Sequence, residues 1–179
     1  MRKVTIALLG LVLLGALLVP SASAAAAPYC GITWGSLAKS AGSYSAAPID
    51  NARAGRHTCY DRFVVDLDGP VVGYRVQYVT TLRQDGSGQV VPLRGAAKLR
   101  IIVLAPAYDS QGHPTFPATK KELVDVSGFR TFRQIAGAGS FEGQTTIGLG
   151  VRARLPFRVF VLDGPGTGSR LVVDVAHRW

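Results

Sequence analysis

Apolar and polar residues alternate along most of this chain in short runs, which glycine, proline and aspartate separate. The run at 58–68 places Phe63, Val65 and Leu67 on one side, opposite a more polar side, as in a half-buried strand. Residues 98–104 are nearly all apolar, which is typical of a central strand. The predicted strands are residues 49–53, 58–68, 74–79, 90–93, 98–104, 126–134, 145–152, 157–162 and 170–176.

The stretches between these runs have the composition of turns rather than of helices. Residues 85–88, Asp-Gly-Ser-Gly, are a strong turn signal, a turn is expected at 54–55, and 163–168 are typical of a hairpin loop. Only residues 119–124 resemble a helix, and they would make one or two turns. Short strands with frequent turns indicate an all-β domain, either a sandwich or a barrel.

The start of the chain has the three-part pattern of a signal peptide. A positively charged start at 1–3 is followed by an uncharged apolar run at 4–19 and by small residues at 22–24. We therefore expect residues 1–24 to be removed on export. An uncleaved membrane anchor is the alternative, but the apolar run is short for a hydrocarbon core of roughly 30 Å.

The beginning of the exported chain is expected to be a flexible segment, residues 25–48, with a short strand at 32–37 and an irregular stretch at 38–48. Both cysteines, Cys30 and Cys59, lie in the exported part, so an oxidising compartment favours a disulfide between them. Two reduced, buried thiols are the alternative. The disulfide would stabilise the fold by roughly 3–4 kcal/mol on the chain-entropy model.

The charge of the chain narrows the kinds of partner. Among 179 residues there are 20 Lys and Arg against 11 Asp and Glu, a formal net charge of +9, and the mature chain retains 18 against 11. Arg152, Arg154 and Arg158 add basic character, either as a binding stripe or as a solvated sheet face. Export and the spread of the arginines argue against nucleic acid. An anionic polymer of the cell surface would be attracted by the same salt-sensitive forces.

The sequence contains no recognisable catalytic motif. It has no G-x-S-x-G and no H-E-x-x-H, and His57, His113 and His177 lie more than fifty residues apart. Glu142 is the one attractive candidate for glycosidase chemistry, but a capping role or an ion pair with an arginine is the simpler explanation. We expect a protein that is not an enzyme and uses no cofactor or metal. A small secreted cell-wall hydrolase that uses Glu142 or a histidine is the alternative.

Two segments, 53–62 and 129–133, combine arginines with aromatic residues and are the candidate binding segments. Aromatic rings offer sugars a flat apolar surface, and guanidinium groups bind carboxylates through paired hydrogen bonds. In the structural alternative, Asp61 pairs with Arg62 or Arg56 and the phenylalanines belong to the core. The candidate ligand-binding residues are Arg56, His57, Tyr60, Arg62, Arg130 and Arg133.

Four stretches of the sequence together resemble a known family. They are AGRHTCYDRFVVDLDGP at 54–70, GSFEGQTTIGLGVR at 139–152, PFRVFVLDGP at 156–165 and RLVVDVAHRW at 170–179. They are similar to the AMIN-like domain of exported bacterial proteins, which is related to the AMIN domain of cell-wall amidases and secretins. The most telling part is the ending, in which a strand and a Gly-Pro turn precede Arg-Leu-Val-Val-Asp-Val.

The resemblance covers residues 49–179 and implies a non-catalytic β-sandwich of two small sheets. AMIN domains target enzymes to the envelope and are thought to bind peptidoglycan. The resemblance therefore implies that the partner is peptidoglycan, another wall polymer or an envelope protein. The signal-peptide pattern, with no second long apolar run after it, predicts that the mature chain is secreted or cell-wall associated and has no transmembrane segment. The sequence departs from the amidase pattern in a longer middle segment at 105–124, and no catalytic domain is expected.

Overall fold

The computed structural model describes residues 28–70 and 73–179, so the predicted signal peptide at 1–24 lies outside the described residues. The described part contains one 3₁₀ turn, Tyr29–Gly31, and nine strands in two antiparallel sheets. The strands are β1 (Lys39–Gly42), β2 (Ile49–Arg56), β3 (Tyr60–Leu67), β4 (Gly73–Val79), β5 (Ala97–Val103), β6 (Phe132–Phe141), β7 (Gln144–Val151), β8 (Phe157–Asp163) and β9 (Ser169–Ala176).

The two sheets pack face to face around one apolar core. One has five strands in the order β1-β4-β5-β7-β6, and the other has four in the order β2-β3-β9-β8. Phe63 and Val173 from the four-stranded sheet and Leu99 and Ile147 from the five-stranded sheet meet in this core, all fully buried. Because side chains alternate across a strand, one face of each sheet is apolar and must be covered. The predicted β-sandwich of two small sheets is confirmed.

Strands with clear alternation lie where the sequence predicts them. The predicted and observed ends agree to within two residues for β3, β4, β5, β7, β8 and β9. β2 continues to Arg56, so the turn predicted at 54–55 is wrong. The strand is longer because its register with β3 pairs Arg56 with Asp61. The hairpin then closes at residues 57–60, where the amide of His57 donates to the Tyr60 carbonyl at 3.0 Å.

A strand also forms within the stretch 38–48 that the sequence predicts to be irregular. β1 pairs antiparallel with β4 at the edge of the five-stranded sheet. Its Lys-Ser-Ala-Gly residues are mostly exposed, so no apolar alternation marks them. The short strand predicted at 32–37 is reduced to a single bridge between Gly35 and Phe157 at the edge of β8.

The helix predicted at 119–124 is wrong, and the part of the chain that the structure describes contains no α-helix. Residues 118–120 run along β6 instead. The amide of Gly137 donates to the carbonyl of Lys120, and the amide of Gly139 donates to that of Ala118, both at 2.8 Å. A Cβ at Gly137 would lie 2.1 Å from the Ala118 carbonyl oxygen, so glycine permits this close approach.

Two strand predictions in the middle of the chain are also wrong. β6 begins at Phe132, not at 126, because residues 127–128 form a turn with Gly128 at a φ of 74°. It continues past 134 to Phe141 through small residues that pattern reasoning does not assign to a strand. Residues 90–93 form only one bridge, between Arg83 and Val90. Leu82 and Leu93 instead pack across the outer side of the five-stranded sheet.

Residues 80–96 thus cover the outer side of the five-stranded sheet, whereas the outer side of the four-stranded sheet is open. A Cβ at Gly150 of β7 would lie 1.8 Å from the carbonyl oxygen of Arg94, which shows how closely the 80–96 segment crosses the five-stranded sheet. The outer positions of β3, β8 and β9 carry the large polar and aromatic side chains described next.

Candidate functional site

A row of charged side chains crosses the outer side of the four-stranded sheet. The register places Arg62 of β3 and Arg158 of β8 on either side of Asp174 of β9. Arg62 donates from Nε to Asp174 Oδ1 at 2.7 Å and from Nη2 to Oδ2 at 2.9 Å. Arg158 donates from Nε to Oδ2 at 2.8 Å. One carboxylate therefore holds two guanidinium groups in fixed positions.

The carboxylate of this row is buried, unlike that of a surface ion pair. The Asp174 side chain is fully buried, while those of Arg62 and Arg158 are 24% and 31% exposed. The hydrogen bond to Asp174 raises the pKa of the Arg62 guanidinium. Because Arg62 and Arg158 share the single carboxylate of Asp174, the row has a net positive charge.

Aromatic rings surround the two guanidinium groups. The ring of Tyr60 lies 5.3 Å from each guanidinium carbon, and the ring of Phe160 lies 5.4 Å from Arg62 and 5.0 Å from Arg158. Trp34 lies 5.6 Å from Arg158, and its ring is 6.0 Å from that of Tyr60. All three rings are half-buried. We call Trp34, Tyr60, Arg62, Arg158, Phe160 and Asp174 the aromatic–arginine face.

Trp34 reaches this face because a disulfide holds the N-terminal segment there. Cys30 and Cys59 are bonded, with their Cα atoms 6.4 Å apart, so the predicted disulfide is confirmed. The indole Nε1 of Trp34 donates to the Tyr29 carbonyl at 2.9 Å. Gly35 then bridges to β8, which brings the segment alongside the sheet edge.

Half of the six predicted binding residues lie together on or beside this face. Tyr60 and Arg62 belong to it, and the His57 ring stacks on Tyr60 with centroids 4.6 Å apart. Arg56 turns away, with its guanidinium 6.0 Å from the Phe129 ring. Asp61 pairs with neither Arg62 nor Arg56, since its carboxylate accepts the backbone amides of Thr131 and Phe132.

The other two predicted residues, Arg130 and Arg133, lie elsewhere. Arg133 donates to the Phe132 carbonyl at 2.8 Å, and Arg130 lines a separate pocket. Phe132 is buried in the core, as the structural alternative expects. The six residues therefore do not converge on one surface.

Residue pattern alone missed Trp34, Phe160 and Asp174. Phe160 and Asp174 become neighbours of Arg62 only through the strand order β3-β9-β8, which joins residues far apart in the chain. The sequence marks Arg158 only as part of a basic stripe. The cysteine pairing was the available signal for Trp34, because it ties the segment around residue 30 to the start of β3.

The residues considered for catalysis do not assemble into a shared site. Glu142 and Gly143 form the exposed turn between β6 and β7, with φ of 49° and 75°, as a two-residue hairpin requires. His113 contacts Asp109 at 3.1 Å on the surface, whereas His57 stacks on Tyr60 and His177 is buried beside Asp61. Among residues 28–70 and 73–179, no group of three or more His, Cys, Asp or Glu could hold a metal ion.

The fold and the open face define a small, disulfide-bonded, all-β module that presents the aromatic–arginine face on its surface. Residues 47–177 match the family model of the AMIN-like domain, so the chain belongs to this family, and the resemblance noted in the sequence is confirmed. The family consists of non-catalytic modules of the cell envelope. Comparison with curated proteins and comparison with solved structures gave no match.

The disulfide and the family membership together indicate a location outside the cytoplasm. None of the helical residues that the structure describes forms a segment long and apolar enough to cross a membrane.

Proposed function

We propose that this protein is an exported, non-catalytic module that binds peptidoglycan through its aromatic–arginine face. Residues 1–24 direct export and are removed, and the mature chain is secreted or associated with the wall. The arrangement of two guanidinium groups among three aromatic rings supports this proposal more than any other observation.

The chemistry of the face matches the two components of peptidoglycan. Half-buried rings such as Trp34 and Phe160 present apolar surface on which the flat side of a sugar ring can pack. Arg62 and Arg158 retain exposed guanidinium edges that can donate to the carboxylates of the peptide stems. Because Asp174 already orients both guanidinium groups, little side-chain entropy is lost when a ligand binds.

Co-sedimentation of the mature protein with purified, insoluble peptidoglycan tests the proposal. We expect retention at an ionic strength of about 0.05 M that weakens severalfold at about 0.5 M, because salt screens the guanidinium contribution. The combined substitutions Trp34→Ala and Phe160→Ala should weaken retention by about tenfold at low salt, since buried aromatic contacts dominate such interfaces.

Tyr44→Ala is the matched control, because Tyr44 is 53% exposed and lies outside the face. Its retention should equal that of the unsubstituted protein. Absence of retention at low salt would contradict the proposal. Equal losses in the double variant and in Tyr44→Ala would show that the face is not the binding surface.

A further inference from the structure

A second surface lies at one end of the sandwich, where the end of β9 meets the start of β6 and the end of β7. It is a pocket of about 510 Å³ lined by five residues. We call it the arginine pocket, and it consists of Tyr29, Arg130, Arg152, His177 and Arg178.

The three arginines of this pocket carry uncompensated charge. Arg130, Arg152 and Arg178 are exposed, and within residues 28–70 and 73–179 no carboxylate forms a salt bridge with any of them. Other arginines of the protein do have acidic partners, as Arg62 has Asp174 and Arg94 has Glu122. Three arginines that line one cavity create a positive potential that attracts an anion.

A buried histidine forms part of the wall of this pocket. His177 is 7% exposed, and its Nε2 lies 3.1 Å from Oδ1 of the fully buried Asp61. The Asp61 carboxylate also accepts the amides of Thr131 at 2.6 Å and Phe132 at 3.3 Å. It therefore does not neutralise the arginines of the pocket. His177 Nδ1 is buried with no hydrogen-bond partner among the described residues. This nitrogen has almost no accessible surface, so the arginines are the groups of this pocket that can contact an anion.

The pocket is already organised by contacts within the protein. Arg152 donates from Nη2 to the His177 carbonyl, and the Arg178 guanidinium lies 4.6 Å from the centre of the Tyr29 ring. The amide of His177 donates to the Cys59 carbonyl at 2.9 Å, and Cys59 is bonded to Cys30, the neighbour of Tyr29. Two of the three arginines therefore have defined positions before any ligand binds, which favours affinity.

We propose that the arginine pocket binds a phosphate group. A carboxylate presents two oxygens in one plane and is satisfied by one or two guanidinium groups. A phosphate monoester presents three anionic oxygens in a tetrahedral arrangement and carries a charge close to −2, which suits a cavity that three arginines line. The inference is independent of peptidoglycan binding, because the pocket shares no residue with the aromatic–arginine face.

Isothermal titration calorimetry at constant ionic strength tests this proposal with inorganic phosphate, glycerol 1-phosphate and acetate as probes. We expect saturable 1:1 binding of inorganic phosphate with a Kd below about 1 mM, and acetate binding at least about tenfold weaker. Arg130→Gln and Arg178→Gln should each weaken phosphate binding by about tenfold, because each removes a charge-assisted hydrogen bond.

Arg75→Gln is the charge-matched control, because Arg75 is exposed on β4 and does not line the pocket. It should change the phosphate Kd by less than about twofold. Equal weakening by Arg75→Gln and Arg130→Gln would overturn the proposal in favour of non-specific charge attraction. So would acetate binding as tight as phosphate binding, or no saturation by phosphate.

A comparison of glycerol 1-phosphate, which is an ester, with inorganic phosphate, which is a free ion, distinguishes the source of the phosphate. Tighter binding of glycerol 1-phosphate than of inorganic phosphate assigns the pocket to the phosphate of an ester, such as a polymer or a lipid carries. Equal or tighter binding of inorganic phosphate assigns it to the free ion. Both results support a phosphate site.

A second measurement uses the unsubstituted protein and therefore tests the proposal even if the arginine variants fail to fold. In the unsubstituted protein, phosphate should shift the imidazole nitrogen resonances of His177 in a saturable manner, while those of His113 remain unchanged. No shift at His177 would overturn the proposal.

Discussion

At the scale of single residues, Asp174 determines the geometry of the aromatic–arginine face. It is fully buried and accepts hydrogen bonds from both Arg62 and Arg158. Neither guanidinium has another acidic partner among the described residues, so both depend on this carboxylate for their position. The substitution of one residue therefore affects both the stability of the sheet and the shape of the proposed binding surface.

Asp174→Asn should lower the free energy of unfolding by about 2–4 kcal/mol, because it leaves two partly buried guanidinium groups without a counter-charge. Urea denaturation measures the change. Asp66→Asn is the control, since the partner of Asp66 is Arg53, which is 51% exposed. That substitution should cost less than about 1 kcal/mol, as surface ion pairs do. Equal effects of the two substitutions would contradict this account of Asp174.

Tyr78 should make stability fall in alkaline solution. Its hydroxyl donates to the Leu155 carbonyl at 2.7 Å and accepts the Leu155 amide at 3.0 Å. Burial raises the pKa of Tyr78 from 10.0 to about 12. Between these values the unfolded chain loses this proton while the folded chain retains it, so stability is full below pH 10 and is lost as pH rises towards 12.

The urea midpoint of the unsubstituted protein should therefore fall more steeply between pH 10 and 12 than that of Tyr78→Phe, which cannot ionise at this position. The comparison cancels the contribution of the tyrosines that both proteins share. Parallel pH profiles of the two proteins would show that Tyr78 ionises equally in the folded and unfolded states.

At the scale of elements, the strands with strong alternation could be predicted from the sequence. The irregular segments that pack against the five-stranded sheet could not. β3 and β9 each carry one apolar side, so both their existence and their buried face follow from a period of two. β6 and the residues at 118–120 are different. Their conformation depends on backbone pairing at a sheet edge, where small residues allow close approach but give no periodic signal.

Gly150→Ala tests how closely the 80–96 segment is packed onto β7. The new Cβ would lie 1.8 Å from the Arg94 carbonyl oxygen, so the segment must move, and we expect a loss of about 1–3 kcal/mol in unfolding free energy. Gly55→Ala is the control, because the atom nearest to its Cβ would be 3.8 Å away. It should change stability by less than about 0.5 kcal/mol. A tolerated Gly150→Ala would show that the segment is loosely attached.

At the scale of the whole molecule, the disulfide links the two proposed binding surfaces. Cys30 adjoins Tyr29 of the arginine pocket, and the segment that follows carries Trp34 to the aromatic–arginine face. Sequence reasoning predicted the bond from the compartment, and it predicted Tyr60 and Arg62 from local composition. It could not bring Asp174 and Phe160 to the same place, because that requires the long-range pairing of β3, β9 and β8.

Replacing both cysteines, as Cys30→Ser with Cys59→Ser, should lower the free energy of unfolding by roughly 3–4 kcal/mol, as expected for a loop of this length. Urea denaturation of the double variant against the oxidised parent measures this. The variant should also lose peptidoglycan retention, because Trp34 is no longer held beside β8. Unchanged retention would show that Trp34 does not contribute to binding.

The central claim is that the open side of the four-stranded sheet binds peptidoglycan. Titration of the isotope-labelled mature protein with soluble peptidoglycan fragments, followed by nuclear magnetic resonance, tests it most directly. The account predicts that the largest shift changes fall on Trp34, Tyr60, Arg62, Arg158 and Phe160. Shift changes confined to the five-stranded sheet, or none at saturating fragment, would contradict it.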